Sequence, residues 1–234
     1  GYVGLISGLC FAEFGFKTIC VDKDKKRIKK LENGISPFFE PGIENLLIKH
    51  SNKTKLVSFT TSLSNSIKNA DVIFITVGTP SRRINDEADL SSIWLVAKEI
   101  AKNIKNYCVI VTKSTVPVGT TKKIKKIISS KVHKDKFDVV SNPEFLREGS
   151  AINDFMQPNR VVIGTESKKS EEIMKKLYHP LYLIKTPIIS TDIQTAEVIK
   201  YASNSFLATK IGFINQVADL CEKVGANVQD VSKG

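Results

Sequence analysis

Short runs of Val and Ile alternate with longer amphipathic stretches through most of this chain, and that alternation restricts its fold more than any other feature. The runs at residues 18–21, 72–77, 109–112, 139–140 and 161–163 are β-branched and nearly unbroken, as strands buried on both faces of a parallel sheet tend to be. Between them, residues 4–14, 24–33, 91–104, 118–130 and 169–181 read as helices, with Gly15 and Gly34 where C-caps belong. Strands alternating with helices make βαβ units. The expected class is therefore α/β, a Rossmann-like doubly wound parallel sheet. From 191 to 224 the rhythm changes: there is no Pro, Gly212 is the one internal glycine, and Ile193, Ala196, Ile199, Ala202 and Leu207 recur near the helical period. A long central helix follows the sheet, suited to connecting domains or forming a dimer. The expected organisation is a dinucleotide-type domain at 1–190, the long helix at 191–225, and the start of another helix at 226–234.

Charge narrows the function classes. The net charge is +11, from 35 basic against 24 acidic residues, yet only Arg27, Arg82, Arg83, Arg147 and Arg160 are arginines. Lysines such as Lys122, Lys123, Lys125 and Lys126 fall on helix faces, which suits a solvated surface. Nucleic acid is not an expected partner, because Arg forks interleaved with stacking aromatics are missing. A positive field still attracts an anionic nucleotide. No apolar run approaches the roughly 18 residues that a membrane span requires, and no basic-then-apolar leader precedes the first motif. The four cysteines show no CxxC spacing and sit in apolar settings, which predicts reduced thiols and a cytoplasmic protein. His50, His133 and His179 form no ligand cluster, so no metal is expected.

The chain opens on Gly1-Tyr2-Val3-Gly4, followed by a helix of small residues. The next strand ends in Asp22, 18 residues after Gly4, near the spacing of about 20 for an acid that holds ribose hydroxyls in a dinucleotide fold. Gly1 would let a pyrophosphate approach, Gly4 would let helix and strand pack closely, and the helix N-terminus would face the phosphates. An ordinary βαβ turn with a surface Asp is the alternative on spacing alone. The acid favours NAD over NADP, because it repels a 2′-phosphate; Arg27 works against that preference. A strand and one more Gly normally precede such a turn, so the sequence reads as an internal fragment.

Three further loops leave the carboxyl ends of strands, where open α/β sheets bind ligands. Val77-Gly78-Thr79-Pro80 follows the second run. KSTVPVG, from Lys113 to Gly119, follows the third, and Pro117 is expected in the first turn of the next helix with Ser114 and Thr115 near its cap. SNPEFLREG, from Ser141 to Gly149, follows the fourth. Its Glu144 and Glu148 suit acid–base work or polar ligand contacts, although a solvated loop would look the same. On the long helix, Lys200 and Asn204 share one face about 6 Å apart along the axis. Such a Lys could stabilise an oxyanion, with Asn as directional partner; a merely exposed Lys is the alternative.

Together, GYVGL, VGTP, KSTVPVG, NPEFLREG and AEVIKYASNSFLATKI (196–211) resemble, in order, the nucleotide-sugar dehydrogenases. Among them NDFMQPNRVVIG (153–164) is most similar to the UDP-glucose enzymes, with GDP-mannose or another nucleotide sugar as the competing substrate and a non-catalytic NAD-binding remnant as a further alternative. The resemblance implies oxidation of the sugar C6 alcohol to a carboxylate by two successive hydride transfers to NAD, through a cysteine thiohemiacetal and thioester. It implies cofactor contacts at Gly1, Val3, Gly4, Asp22, Arg27, Thr79, Thr115 and Glu148. It implies substrate contacts at Glu144, Phe145, Leu146, Arg147, Glu148, Lys200 and Asn204. Lys200 would stabilise charge on the C6 oxygen, Thr115 and Asn204 would position water or the alcohol, and Glu144 or Glu148 would assist proton transfer. A homodimer through the central helix is also implied. The family's GGSCFPKD-type nucleophile motif does not occur in this sequence, and Cys10 and Cys221 lie in helical settings unsuited to replace it.

Overall fold

The computed structural model describes residues 1–81 and 87–234, so Arg82 and Arg83 lie outside the described residues. Two compact units are present, residues 1–197 and 198–234. In the first, α1 (Tyr2–Glu13) leads to β1 (Thr18–Val21), α2 (Lys25–Glu32), α3 (Ile43–Ile48), β2 (Val57–Thr60) and α4 (Leu63–Ile67). There follow β3 (Val72–Ile75), α5 (Ser91–Asn103), β4 (Cys108–Thr112), α6 (Thr120–Ser129) and β5 (Phe137–Ser141). The unit closes with α7 (Ala151–Met156), β6 (Val161–Gly164), α8 (Lys168–Leu177), β7 (Ile188–Thr191) and the first turn of α9 (Ile193–Val224). The second unit holds the remainder of α9 and α10 (Val228–Lys233), whose Asn227 cap accepts the Gln229 N–H at 2.9 Å.

The strands form a parallel β1-β2 pair and a five-stranded sheet ordered β3-β4-β5-β6-β7. All pairings in the larger sheet are parallel except β5 with β6, which meet antiparallel at Ser141 and Gly164. β4 is buried at every residue because helices cover both faces. Alternation along it divides the core: Val109 and Val111 pack with Leu5, Leu9, Phe11 and Phe155, whereas Ile110 packs with Ile93, Ile100, Ile124 and Ile128. The doubly wound α/β expectation is met.

α1 is apolar around its whole circumference, and residues 5–12 are all buried. Such a helix belongs inside a protein rather than on its surface. The Gly8 position abuts Cys20 of β1, where an added Cβ would come within 2.4 Å of Sγ. By contrast α6 is two-faced, burying Ile124 and Ile128 one turn apart while its lysines face water.

Several boundaries differ from the sequence expectation. β3 stops at Ile75 instead of residue 77, because the Ile75 carbonyl takes both the Lys113 and Ser114 N–H groups and the chain turns away. The run at 139–140 extends to Phe137–Ser141; the polar Asp138 inside it is satisfied by the Tyr107 hydroxyl at 2.6 Å and the Ser167 hydroxyl at 2.8 Å. The helix expected at 169–181 ends at Leu177, and a 3₁₀ turn containing Pro180 follows. Pro117 is not in the first turn of α6, which starts at Thr120 behind Gly119. β2, β7, α3, α4 and α7 were not anticipated.

Candidate functional site

The glycine turn and the end of β1 face each other. The Asp22 carboxylate lies 2.9 Å from the Gly1 nitrogen and 3.5 Å from the Arg27 guanidinium, and accepts the Asp24 N–H at 3.0 Å. Partial burial pushes the Asp22 carboxyl up, but the Asp24 N–H and the Arg27 guanidinium are among the groups that hold it below the usual carboxylate range. Arg27 is placed by the Asp24 cap of α2, which accepts the Lys26 and Arg27 N–H groups, and its guanidinium stacks 5.4 Å from the Phe38 ring centroid. Spacing along the sequence does not show that Arg27 pairs with Asp22.

The first turn of α1 carries no acidic side chain, and Gly1 provides no side-chain cap. Its N–H groups and the helix dipole therefore favour an anion. A Cβ on Gly4 would lie 2.6 Å from Thr76 Oγ1 just beyond β3, so helix and strand exit are in close contact there. Dinucleotide pyrophosphate fits these residues chemically.

Two strand exits are joined directly. The Thr79 hydroxyl donates to the Thr115 carbonyl at 2.8 Å, and the Ser114 hydroxyl donates to the Val77 carbonyl at 2.7 Å. Ser114 and Thr115 do not cap α6. That task falls to the buried Glu197 on the first turn of α9, whose carboxylate accepts the Gly119 N–H at 2.6 Å and the Thr121 N–H at 2.9 Å.

At the third exit, Asn142 is buried and fully engaged. Its amide donates to the Val162 carbonyl at 2.8 Å, and its oxygen accepts the Tyr178 hydroxyl at 2.6 Å and Lys113 Nζ at 3.2 Å. Lys113, also buried, sits 5.5 Å from the Phe155 ring and 5.9 Å from the Tyr178 ring, so its charge is offset by polar and aromatic groups together. Beyond Asn142 the chain lines a cavity with Glu144, Phe145, Leu146 and Arg160. Glu144 folds back to accept the Leu146 N–H at 2.6 Å, and Arg160 stacks 4.2 Å from the Phe145 ring. Arg147 forks onto Asp154 through Nη2 at 2.7 Å and Nε at 3.0 Å, whereas Glu148 is exposed.

The structure thus brings Asp22 against both Gly1 and Arg27, and Thr79 against Thr115. Glu144, Phe145 and Leu146 line one cavity. Lys200 and Asn204 belong to the second unit, where they keep their one-turn spacing on α9. Glu40 and Glu197 were missed by sequence reasoning; each is a lone acid whose partners lie far along the chain, and no local pattern marks either.

Against known proteins, residues 1–182 match the UDP-glucose/GDP-mannose dehydrogenase family, NAD binding domain, and residues 194–234 match its central domain. The chain belongs to this family. UDP-glucose 6-dehydrogenase of Rhizobium meliloti (strain 1021) is 52% identical over 236 residues, covering 100% of this chain and 54% of that protein. UDP-glucose 6-dehydrogenase TuaD of Bacillus subtilis (strain 168) is 49% identical, again over 100% of this chain and 50% of its own length. The chain therefore spans about half the length of these UDP-glucose/GDP-mannose dehydrogenase relatives. Among solved structures of the family, a UDP-glucose dehydrogenase from Pyrobaculum islandicum superposes with a TM-score of 0.91 at 34% identity, covering 99% of this chain and 53% of the other. A ternary complex of GDP-mannose dehydrogenase from Pseudomonas aeruginosa gives 0.93, also at 34% identity, covering 100% and 54%. Among the described residues no cluster suited to a metal ion occurs, and no helix is long and apolar enough to cross a membrane.

Proposed function

We propose that the protein is an NAD-dependent UDP-glucose 6-dehydrogenase, oxidising the C6 alcohol to a carboxylate. The observation that carries the reading is the Asp22 carboxylate facing the Gly1–Gly4 turn at the end of β1, and identity near 50% to UDP-glucose enzymes supports UDP-glucose as the substrate. Asp22, held ionised, accepts ribose hydroxyls. The Gly1–Gly4 turn, including Val3, takes the pyrophosphate at the α1 N-terminus, and Arg27, Thr79, Thr115 and Glu148 complete the cofactor contacts. NAD supplies the hydride acceptor when bound.

For the sugar nucleotide, the proposed contacts are Glu144, Phe145, Leu146, Arg147 and Glu148, with Lys200 and Asn204. A cationic Lys200 stabilises negative charge developing on the C6 oxygen, Thr115 and Asn204 position water or the alcohol, and Glu144 or Glu148 moves the proton. None of the four cysteines is set up as a nucleophile. Burial pushes Cys10, Cys20 and Cys108 up to about 12, where thiolate is scarce at neutral pH, and Cys221 is buried on α9.

A homodimer is also proposed, because Phe206, Leu207, Ile211 and Phe213 of α9 are exposed apolar side chains in the second unit. The reduced thiols suit a cytoplasmic setting.

The test is NADH formation by the intact protein with UDP-glucose and with GDP-mannose. Two NADH per UDP-glucose, lost in Asp22→Ala, is the expected result. Oxidation of GDP-mannose alone would overturn the substrate, and NAD binding without turnover of either sugar would identify a non-catalytic dinucleotide-binding protein.

A further inference from the structure

Glu40 is 4% exposed, and no cationic side chain among the described residues pairs with it. Its charge is held by hydrogen bonds from two distant parts of the chain. Oε2 accepts the Tyr2 hydroxyl and the Gly149 N–H at 2.9 Å, while Oε1 accepts the Ala151 N–H at 2.7 Å. A buried carboxylate satisfied in this way is costly to disturb, because removing one partner leaves desolvated groups unpaired. Tyr2 belongs to the glycine turn. Gly149 closes the 142–149 loop at φ +85, a conformation that other residues rarely adopt, and Ala151 begins α7.

Contacts continue on the far side of Tyr2. Its ring meets Phe38 edge-on at 5.9 Å, Phe38 lies under Arg27, and Arg27 pairs with Asp22. A connected path therefore runs from Asp22 through Arg27, Phe38, Tyr2 and Glu40 to the end of the loop that carries Glu144 and Glu148.

We propose that Glu40 is a positioning residue that couples the glycine turn to the 142–149 loop through the Tyr2 hydroxyl. Glu40 acts through the Tyr2 hydroxyl and the loop's backbone N–H groups; it sets where the loop's carboxylates stand relative to the turn. The turn's role as a cofactor site and the loop's role as a sugar-nucleotide site rest on the reading in the preceding subsection.

The experiment uses Tyr2→Phe, which keeps the ring on Phe38 and deletes only the hydroxyl, beside Glu40→Gln, in the intact protein. Backbone hydrogen exchange without any cofactor reads the coupling itself. Tyr2→Phe is expected to speed exchange at Gly149 and Ala151 several-fold while exchange in β4 is unchanged. Exchange at Gly149 and Ala151 indistinguishable from wild type in Tyr2→Phe overturns the proposal, whether or not Glu40→Gln folds. Steady-state kinetics then separate positioning from loss of folded enzyme. A misplaced loop raises KM for the sugar nucleotide by about fivefold with kcat nearly constant, whereas loss of folded enzyme lowers kcat at constant KM; the latter pattern in Tyr2→Phe also overturns it. Calorimetry with NAD on wild type tests the underlying cofactor reading separately. No heat of binding there defeats that reading, while the cofactor-free exchange result still decides the coupling.

Discussion

The Thr79 hydroxyl donates to the Thr115 carbonyl at 2.8 Å, fastening the loop after β3 to the loop after β4. Both threonines are proposed cofactor contacts, so the bond fixes their separation before any ligand arrives. Thr79→Val is nearly isosteric and removes the donor. A net loss of about 1 kcal/mol is expected, weakening NAD binding about fivefold. Calorimetric titration of wild type and variant checks this, and unchanged affinity would show that the fastening has no part in binding.

Glu197 is expected to matter more for stability than any exposed acid in the chain. Its carboxylate supplies the side-chain cap that neither Ser114 nor Thr115 provides for α6, and it does so while buried. Glu197→Ala orphans the Gly119 and Thr121 N–H groups and should cost about 2–4 kcal/mol. Urea unfolding monitored by circular dichroism measures it, with Glu222→Ala on the exposed part of α9 as the near-neutral comparison.

Gly164 admits no side chain. A Cβ there would stand 2.4 Å from Ala196 Cβ and 2.7 Å from the Asp192 carbonyl oxygen, and the backbone contact cannot rotate away. Gly164→Ala should therefore destabilise the protein by about 3 kcal/mol or prevent its accumulation. A melting temperature equal to wild type would contradict the close approach of β6 to the start of α9.

Acid sensitivity should come from specific pairs. Lys49 and His50 lower the Glu13 carboxyl against the opposing effect of burial, and Arg147 lowers that of Asp154. Because the folded values lie below the unfolded ones, each group contributes fully above the unfolded values of about 3.9 for Asp and 4.3 for Glu. That contribution disappears as pH falls through the folded values. The melting temperature should decline below about pH 5, with a shallower decline in Glu13→Gln and Asp154→Asn. Equal slopes in wild type and both variants would place the sensitivity elsewhere.

The sheet was legible because its central strand β4 is buried at every residue, which forces an unbroken apolar run there. β7 was not: its two isoleucines, Ile188 and Ile189, are followed by the polar Ser190 and Thr191 on a half-exposed edge strand, too short an apolar run to register. The residues of the glycine turn and strand exits could be found because ligand-facing loops follow strands at fixed spacing. Spacing did not reveal that Arg147 is engaged by Asp154 or that Arg27 partners Asp22, since both depend on side chains meeting after the chain has turned. Glu40 and Glu197 were invisible for a stronger reason. Their hydrogen-bond partners lie as far as 111 and 78 positions away, and no local window contains both ends.

That separation has a consequence for the speed of folding. Joining residue 40 to residues 149 and 151 closes a very long loop, an entropic cost met only once most of the intervening sheet is in place. The clasp around Glu40 should thus form after the rate-limiting barrier. Substitutions in it would leave the refolding rate almost untouched and shorten the lifetime of the native state.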